Sequence, residues 1–281
     1  MRKHGCFVFL YLGRMNNDYL LLNKNAWNQK TDVHKHSAFY DLESFKAGTS
    51  SLNAVERDWL GDVSGKTLLH LQCHFGMDTI SWARLGARVT GVDLSDKAVA
   101  LANELAAEEK ADARFVCCNV YDTRAHISET FDIVFTSYGT IGWLPDLNKW
   151  AEVIAMSLKP GGRFLIVDFH PTLWMFSNDF SHLEYPYNSP ENEPIIEQQE
   201  GSYADRSAEI SYTTYSWNHG LAKIMGSLLA QGLQLKRFEE YTYSPYPCFQ
   251  NIEQSADGFW RIKGFGDKLP MMYGIEVVKP A

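Results

Sequence analysis

No stretch of the 281 residues is apolar for long enough to cross a bilayer. The one apolar run near the start, Cys6 to Leu12, is short, has no small-residue cleavage site after it and is broken by Arg14. Basic residues are the minority: 26 Lys and Arg against 34 Asp and Glu leave a net charge of −8. A general nucleic-acid binder needs a basic face for phosphate, so that class is disfavoured. Cysteine is scarce and odd in number, five in all, with Cys117 and Cys118 adjacent. That is no disulfide framework, and reduced thiols in a cytoplasmic protein are the simpler reading. No pair of Cys or His has the spacing of a structural metal site, so no metal is expected. Repeats and low-complexity tracts are absent too.

Glycine is missing where a dinucleotide fingerprint needs it. In Thr67–Asp93, TLLHLQCHFGMDTISWARLGARVTGVD, only Gly76 stands in the turn, and Gln72 and His74 hold the places of the other two glycines. Side chains there would crowd a pyrophosphate, which tilts the reading away from NAD and toward a ligand without phosphates. The stretch otherwise has the pattern of a nucleotide-binding half. An apolar strand (67–71) leads into a turn and then a helix, which Asp78 is placed to cap and Gly86 to end. A second strand (88–92) finishes on Asp93. An acid at that place can accept both hydroxyls of a ribose.

The units that follow keep the alternation. A helix from Asp96, capped by Ser95, precedes a third strand at 113–117 and then Asn119. The fourth strand is 131–136, a helix has Pro145 in its first turn, and the fifth strand is 163–167. Strands at 233–243 and 271–278 close the set, with a helix at 218–231 between a short strand at 210–217 and the sixth. Before the first strand lie a helix over 18–29, a polar and aromatic segment in which His34 and His36 read as solvated, and a helix capped by Ser50 or Ser51. Polar residues end all five leading strands: Gln72–Gly76, Asp93, Asn119, Ser137–Gly139 and Asp168–His170. Ligands of open α/β sheets bind beyond that edge.

These motifs, LLHLQCHFGMDT, VTGVDLS, FVCCNVYD, FDIVFTSYG and LKPGGRFLIVDFH, resemble the class I S-adenosylmethionine-dependent methyltransferases. An uncharacterised bacterial branch with LHLQCHFG in its first motif and a WLPDL segment after strand four is the nearest likeness, running from about Asn17 to the end. The departure is in the first motif, where an acid is usual at position 70 and glycines at 72 and 74. The resemblance implies an α/β, Rossmann-like, seven-stranded and mostly parallel sheet with helices on both faces and the last strand antiparallel. It also implies S-adenosylmethionine as cofactor, held by Gln72, His74, Gly76, Asp93, Leu94, Asn119, Val120 and Ser137. Asp93 would take the ribose, Asn119 and the Val120 N–H the adenine. Asp78 either caps its helix or faces the methionine ammonium.

Two aromatic segments, 169–215 and 244–270, interrupt the alternation and read as insertions closing over the site, with 17–62 as an N-terminal helical cover. Residues 17–281 then form one methyltransferase domain. Residues 1–16 are expected to be disordered or to belong to a mis-called start, with Met15 as the natural first residue. His170 after strand five and Tyr138 after strand four are the candidates for a general base, needed only if the acceptor carries a proton. The expected reaction is methyl transfer to a small molecule, with no nucleic acid or membrane partner. The competing readings are an RNA or protein methyltransferase, and a non-catalytic adenosylmethionine- or adenosylhomocysteine-binding module.

Overall fold

The computed structural model describes residues 15–281, so the expectation for residues 1–14 lies outside the described residues. Met15 and Asn16, placed outside the folded unit by the sequence reading, open helix α1, Met15–His34. The following elements are α2 (Leu42–Lys46), α3 (Ala54–Leu60), β1 (Thr67–Leu71), α4 (Met77–Arg84), β2 (Arg88–Asp93), α5 (Asp96–Glu108) and β3 (Ala113–Cys117). Then come α6 (Thr123–His126), β4 (Phe131–Ser137), α7 (Leu147–Ser157), β5 (Leu158–Phe169), β6 (Ile195–Glu200) and β7 (Ser211–Ser216). The chain ends with α8 (Leu221–Ala230), β8 (Gln234–Tyr241), β9 (Ile252–Gln254), β10 (Trp260–Ile262) and β11 (Met272–Val278).

Seven strands form the main sheet in the order β3-β2-β1-β4-β5-β11-β8. The first five pair in parallel, and β11 runs antiparallel between β5 and β8, as expected of the last strand. Strand order reverses between β1 and β4, and this is the switch point where the crevice at the carboxyl edge opens. Both faces are buried, which is why the strands read as apolar runs rather than alternations. Leu69, Leu71, Val134, Phe164 and Ile166 pack with α7 and α8 on one face. Their neighbours Leu68, Ile133, Phe135, Leu165 and Val167 pack on the other with Trp59 of α3 and Trp82 of α4.

Glycine matters at two places beside the switch point. A Cβ on Gly91 would lie 2.6 Å from the Phe115 ring and 2.8 Å from the Cys73 sulfur, and one on Gly76 (φ 79°) would lie 2.5 Å from the same ring. Phe115 therefore wedges β3 against the turn after β1. Gly91→Ala is expected to cost about 1–3 kcal/mol by overpacking; an unfolding midpoint equal to the parent's would contradict this packing.

Three local expectations are corrected. Gly76, not Asp78, is the N-cap of α4, because the left-handed residue that ends the turn already starts the helix, and Asp78 falls inside its first turn. The α7 cap is Asp146, which accepts from Asn148 N and Lys149 N, so Pro145 lies just before the helix. At α3 the cap is Asn53 rather than Ser50 or Ser51, with the Glu56 carboxylate accepting from Asn53 N at 2.6 Å.

The insertions carry structure of their own. β6 and β7 form an antiparallel hairpin, of which only the second strand is anticipated from sequence, and β9 and β10 form another. The first hairpin is bound to α1 through Asn23, whose amide donates to Tyr215 O and accepts from Tyr215 N, both at 2.9 Å, as a neighbouring strand would. The N-terminal helix and the first insertion thus form one cover over the sheet edge.

Candidate active site

The turn after β1 keeps a glycine-like backbone without the glycines. Gln72 (φ 58°) and His74 (φ 51°) lie in the left-handed region with Gly76. Each non-glycine residue there costs roughly 1–2 kcal/mol, and local bonds offset it. His74 N donates to Asp93 Oδ2 at 2.8 Å, and Ser95 N to Asp93 Oδ1 at 2.8 Å. Gln72 Nε2 donates to Thr140 O at 2.8 Å, tying the β1 turn to the β4 turn, and His74 Nε2 meets His34 Nδ1 at 2.9 Å, tying it to α1. Burial pushes the Asp93 carboxyl up to about 6, against the N–H groups of Ser95, His74 and Leu94, which favour the charged form.

The remaining strand ends converge on the same place. Asn119 caps a turn of 3₁₀ helix, with Oδ1 accepting from Tyr121 N at 3.2 Å, which leaves its amide nitrogen over. Ser137 donates to Asp78 Oδ2 at 3.1 Å, and Ser51 donates to Asp78 Oδ1 at 2.6 Å. His70, at the position where an acid is usual, is buried, with Nδ1 at 2.8 Å from Thr79 Oγ1, and burial holds it down at about 3. A carboxylate nevertheless stands by the end of β1, because Asp78 supplies it from α4. Asp168 organises the β4 turn by accepting from Gly139 N, Phe169 N, Thr140 N and the Thr140 hydroxyl.

Gln72, His74, Gly76, Asp93, Leu94, Asn119, Val120 and Ser137 all line one cavity of about 960 Å³, together with Asp78 and Tyr138. His170 does not line it. The His170 N–H pairs with Met271 O, and the ring turns to β8, where Nε2 lies 2.8 Å from Glu240 Oε1. It is therefore not placed as the general base expected from sequence. Tyr138 does line the cavity: its hydroxyl donates to Glu56 Oε2 at 3.0 Å, and Asn53 Nδ2 reaches both Tyr138 and Tyr246 hydroxyls, at 3.3 and 2.7 Å. Glu56 is fully buried, and its carboxyl is raised by that burial to about 7.

Sequence reasoning missed Glu56 and the inner face of α1. His34, expected in a solvated segment, is buried and sits between His74 and Ser202 Oγ (2.6 Å), whereas His36 is exposed as expected. The available signal is spacing: Asn23, Trp27, Lys30 and His34 recur every three or four residues, a polar stripe on the buried side of a helix read as ending at Gln29.

Gln72 Oε1 and His74 Nδ1, buried polar atoms of the cavity wall, have no hydrogen-bond partner among the described residues. With the carboxylates of Asp93 and Asp78 and the spare amide of Asn119, they form a mixed donor and acceptor set over an apolar floor. That set fits an adenosyl amino acid, with hydroxyls to donate to Asp93 and an ammonium to meet Gln72 and Asp78.

Comparison with known proteins points the same way. Residues 69–166 match the family described as "Methyltransferase domain". The ubiquinone biosynthesis O-methyltransferase of Aeromonas salmonicida is 28% identical over 153 residues, covering 52% of this chain and 64% of that protein. Its counterpart in Xanthomonas oryzae is 28% identical over 150 residues, covering 52% and 62%. The chain thus spans just under two thirds of the length of these curated relatives. Among solved structures, an S-adenosylmethionine-dependent methyltransferase from Clostridium acetobutylicum has the same fold, with a TM-score of 0.55 at 15% identity, covering 92% of this chain and 99% of that one. The glycopeptide N-methyltransferase MtfA, complexed with S-adenosylmethionine, gives 0.53 at 17% identity, covering 81% and 87%. Residues 69–166 thus match a methyltransferase-domain family, and the chain shares the Rossmann-like fold of the S-adenosylmethionine-dependent methyltransferase structures.

Proposed function

We propose that this protein transfers a methyl group from S-adenosylmethionine to a small-molecule acceptor. The observation that carries the reading is the single cavity in which the ends of β1 to β4 meet an aromatic cover built by α1 and the two insertions. A cavity of about 960 Å³ suits a compact ligand beside a cofactor better than a polymer. The four described cysteines are free, which supports a reducing, cytoplasmic setting.

When bound, S-adenosylmethionine supplies an electrophilic methyl on a sulfonium. The protein's part is to hold the acceptor in line and keep water out. Asp93 accepts the ribose hydroxyls, Asn119 and the Val120 N–H meet the adenine, and Leu94 covers it. Gln72, Asp78 and Ser137 face the amino-acid end, and His74 holds the turn under α1. Trp143, Phe169, Trp174 and Tyr246 wall the acceptor side.

For an acceptor that must lose a proton, Tyr138 takes it while passing its own to Glu56. That carboxyl sits near 7 and can receive a proton at neutral pH. A screen of hydroxyl, amine and thiol compounds, scored by adenosylhomocysteine release, is expected to find turnover with small molecules. Turnover confined to RNA or protein substrates would contradict the reading.

A further inference from the structure

Lys30 is a buried cation. It is 4% exposed, it lines the cavity, and among the described residues neither a hydrogen bond nor an ion pair reaches its ammonium. Three rings surround it instead: Trp27 at 4.7 Å, Tyr212 at 4.9 Å and Trp143 at 5.1 Å from ring centroid to Nζ. These come from α1, from the β7 hairpin and from the turn after β4, so the cage exists only with the cover in place.

The carboxylate that acts on it, Glu197, is engaged elsewhere, accepting from the Tyr185 hydroxyl at 2.9 Å and from Gln199 Nε2 at 3.1 Å. Burial lowers the Lys30 ammonium to about 8, which leaves it mostly charged at neutral pH. Aromatic faces offset part of the desolvation of an ammonium but give it no hydrogen-bond acceptor. A buried charge left this way is costly unless something completes it.

We propose that Lys30 anchors a carboxylate on the methyl acceptor, and that the acceptor is a small, flat, apolar monoacid. This deepens the methyltransferase reading and rests on it. The charge count favours a single negative charge. Lys30 is the one buried Lys or Arg on the wall among the described residues; Arg206, the other cationic side chain there, is exposed and donates to Cys248 O at 3.1 Å. A doubly charged phosphate would be only half-neutralised by one buried ammonium. Trp27, Trp143 and Tyr212 give the apolar body flat surfaces to lie against.

The test is calorimetric titration of the full chain, saturated with adenosylhomocysteine, with benzoate, cinnamate and 1-naphthoate and with the amide of each. Each is repeated on Lys30→Met, which keeps the stem and removes the charge. The acids are expected to bind at least about tenfold tighter than their amides, the worth of one buried charge-assisted bond. Lys30→Met should erase that preference while binding adenosylhomocysteine within about twofold of the parent, which also shows that the variant is folded. Acids binding no better than amides, including no binding by either, overturns the proposal. So does a preference that survives in Lys30→Met. Adenosylhomocysteine affinity lost in the variant assigns the lysine to the cofactor's own carboxylate and overturns it too. An unmodified chain that fails to bind adenosylhomocysteine overturns the methyltransferase reading itself, a result distinct from all of these.

Discussion

Asp93→Ala is expected to weaken adenosylhomocysteine binding by about 100-fold or more, the loss of two hydrogen bonds to a charged acceptor. The same carboxylate holds His74 N and Ser95 N, so some of that loss comes from a looser turn. Asp93→Asn separates the two, because the amide oxygen can still accept while the charge is gone; it should lie between parent and alanine. The raised carboxyl adds a pH signature. Only the ionised form is acceptor-only, and its share falls as pH drops through about 6. Affinity should be flat above neutrality and decline below that value. Parent-like affinity in Asp93→Ala, with the far-ultraviolet spectrum retained, would refute the ribose assignment.

Tyr138→Phe is expected to lower kcat by about 100-fold on an acceptor that must lose a proton, in the usual range for general acid–base groups. Adenosylhomocysteine affinity should stay as it was, because only the hydroxyl bonds to Glu56 and Asn53 are removed. Glu56→Gln should reduce kcat similarly and abolish its rise with pH through about 7. Glu56 must be ionised to receive the proton, so the parent's kcat falls as pH drops through about that value. An unchanged kcat in Tyr138→Phe would make the tyrosine a packing residue. His170→Gln, away from the cavity, serves as the control and is expected to leave kcat near the parent's, since its ring is bonded to Glu240.

The parts of this molecule that follow from local chemistry were legible in the chain. Short apolar runs such as Thr67–Leu71 and Phe131–Ser137 read as strands buried on both faces, and Ser95 before Asp96 reads as the helix cap it is. Asp93 and Asn119 were legible for the same reason, since a polar residue ending an apolar strand stands at the sheet's carboxyl edge. What long-range contacts decide was hidden. Nothing in the order Asp168-Phe169-His170 says that Met271 will capture the His170 N–H and swing the ring toward Glu240. Likewise the burial of Lys30 and His34 depends on a hairpin some 170 residues downstream, and Glu56 looks like any acid in a first helical turn until Tyr138 and Tyr246 close over it. His70 and Asp78 show a subtler case, in which the charge expected at one position is supplied from another element.

The most direct test is a calorimetric titration of the intact chain with adenosylhomocysteine and, separately, with NAD. A rim on which a strand-end carboxylate and a left-handed turn carrying Gln72 and His74 grip an adenosyl amino acid predicts saturable one-to-one binding of adenosylhomocysteine and none of NAD, whose pyrophosphate meets those two side chains. Binding of NAD, or of neither compound, would contradict it.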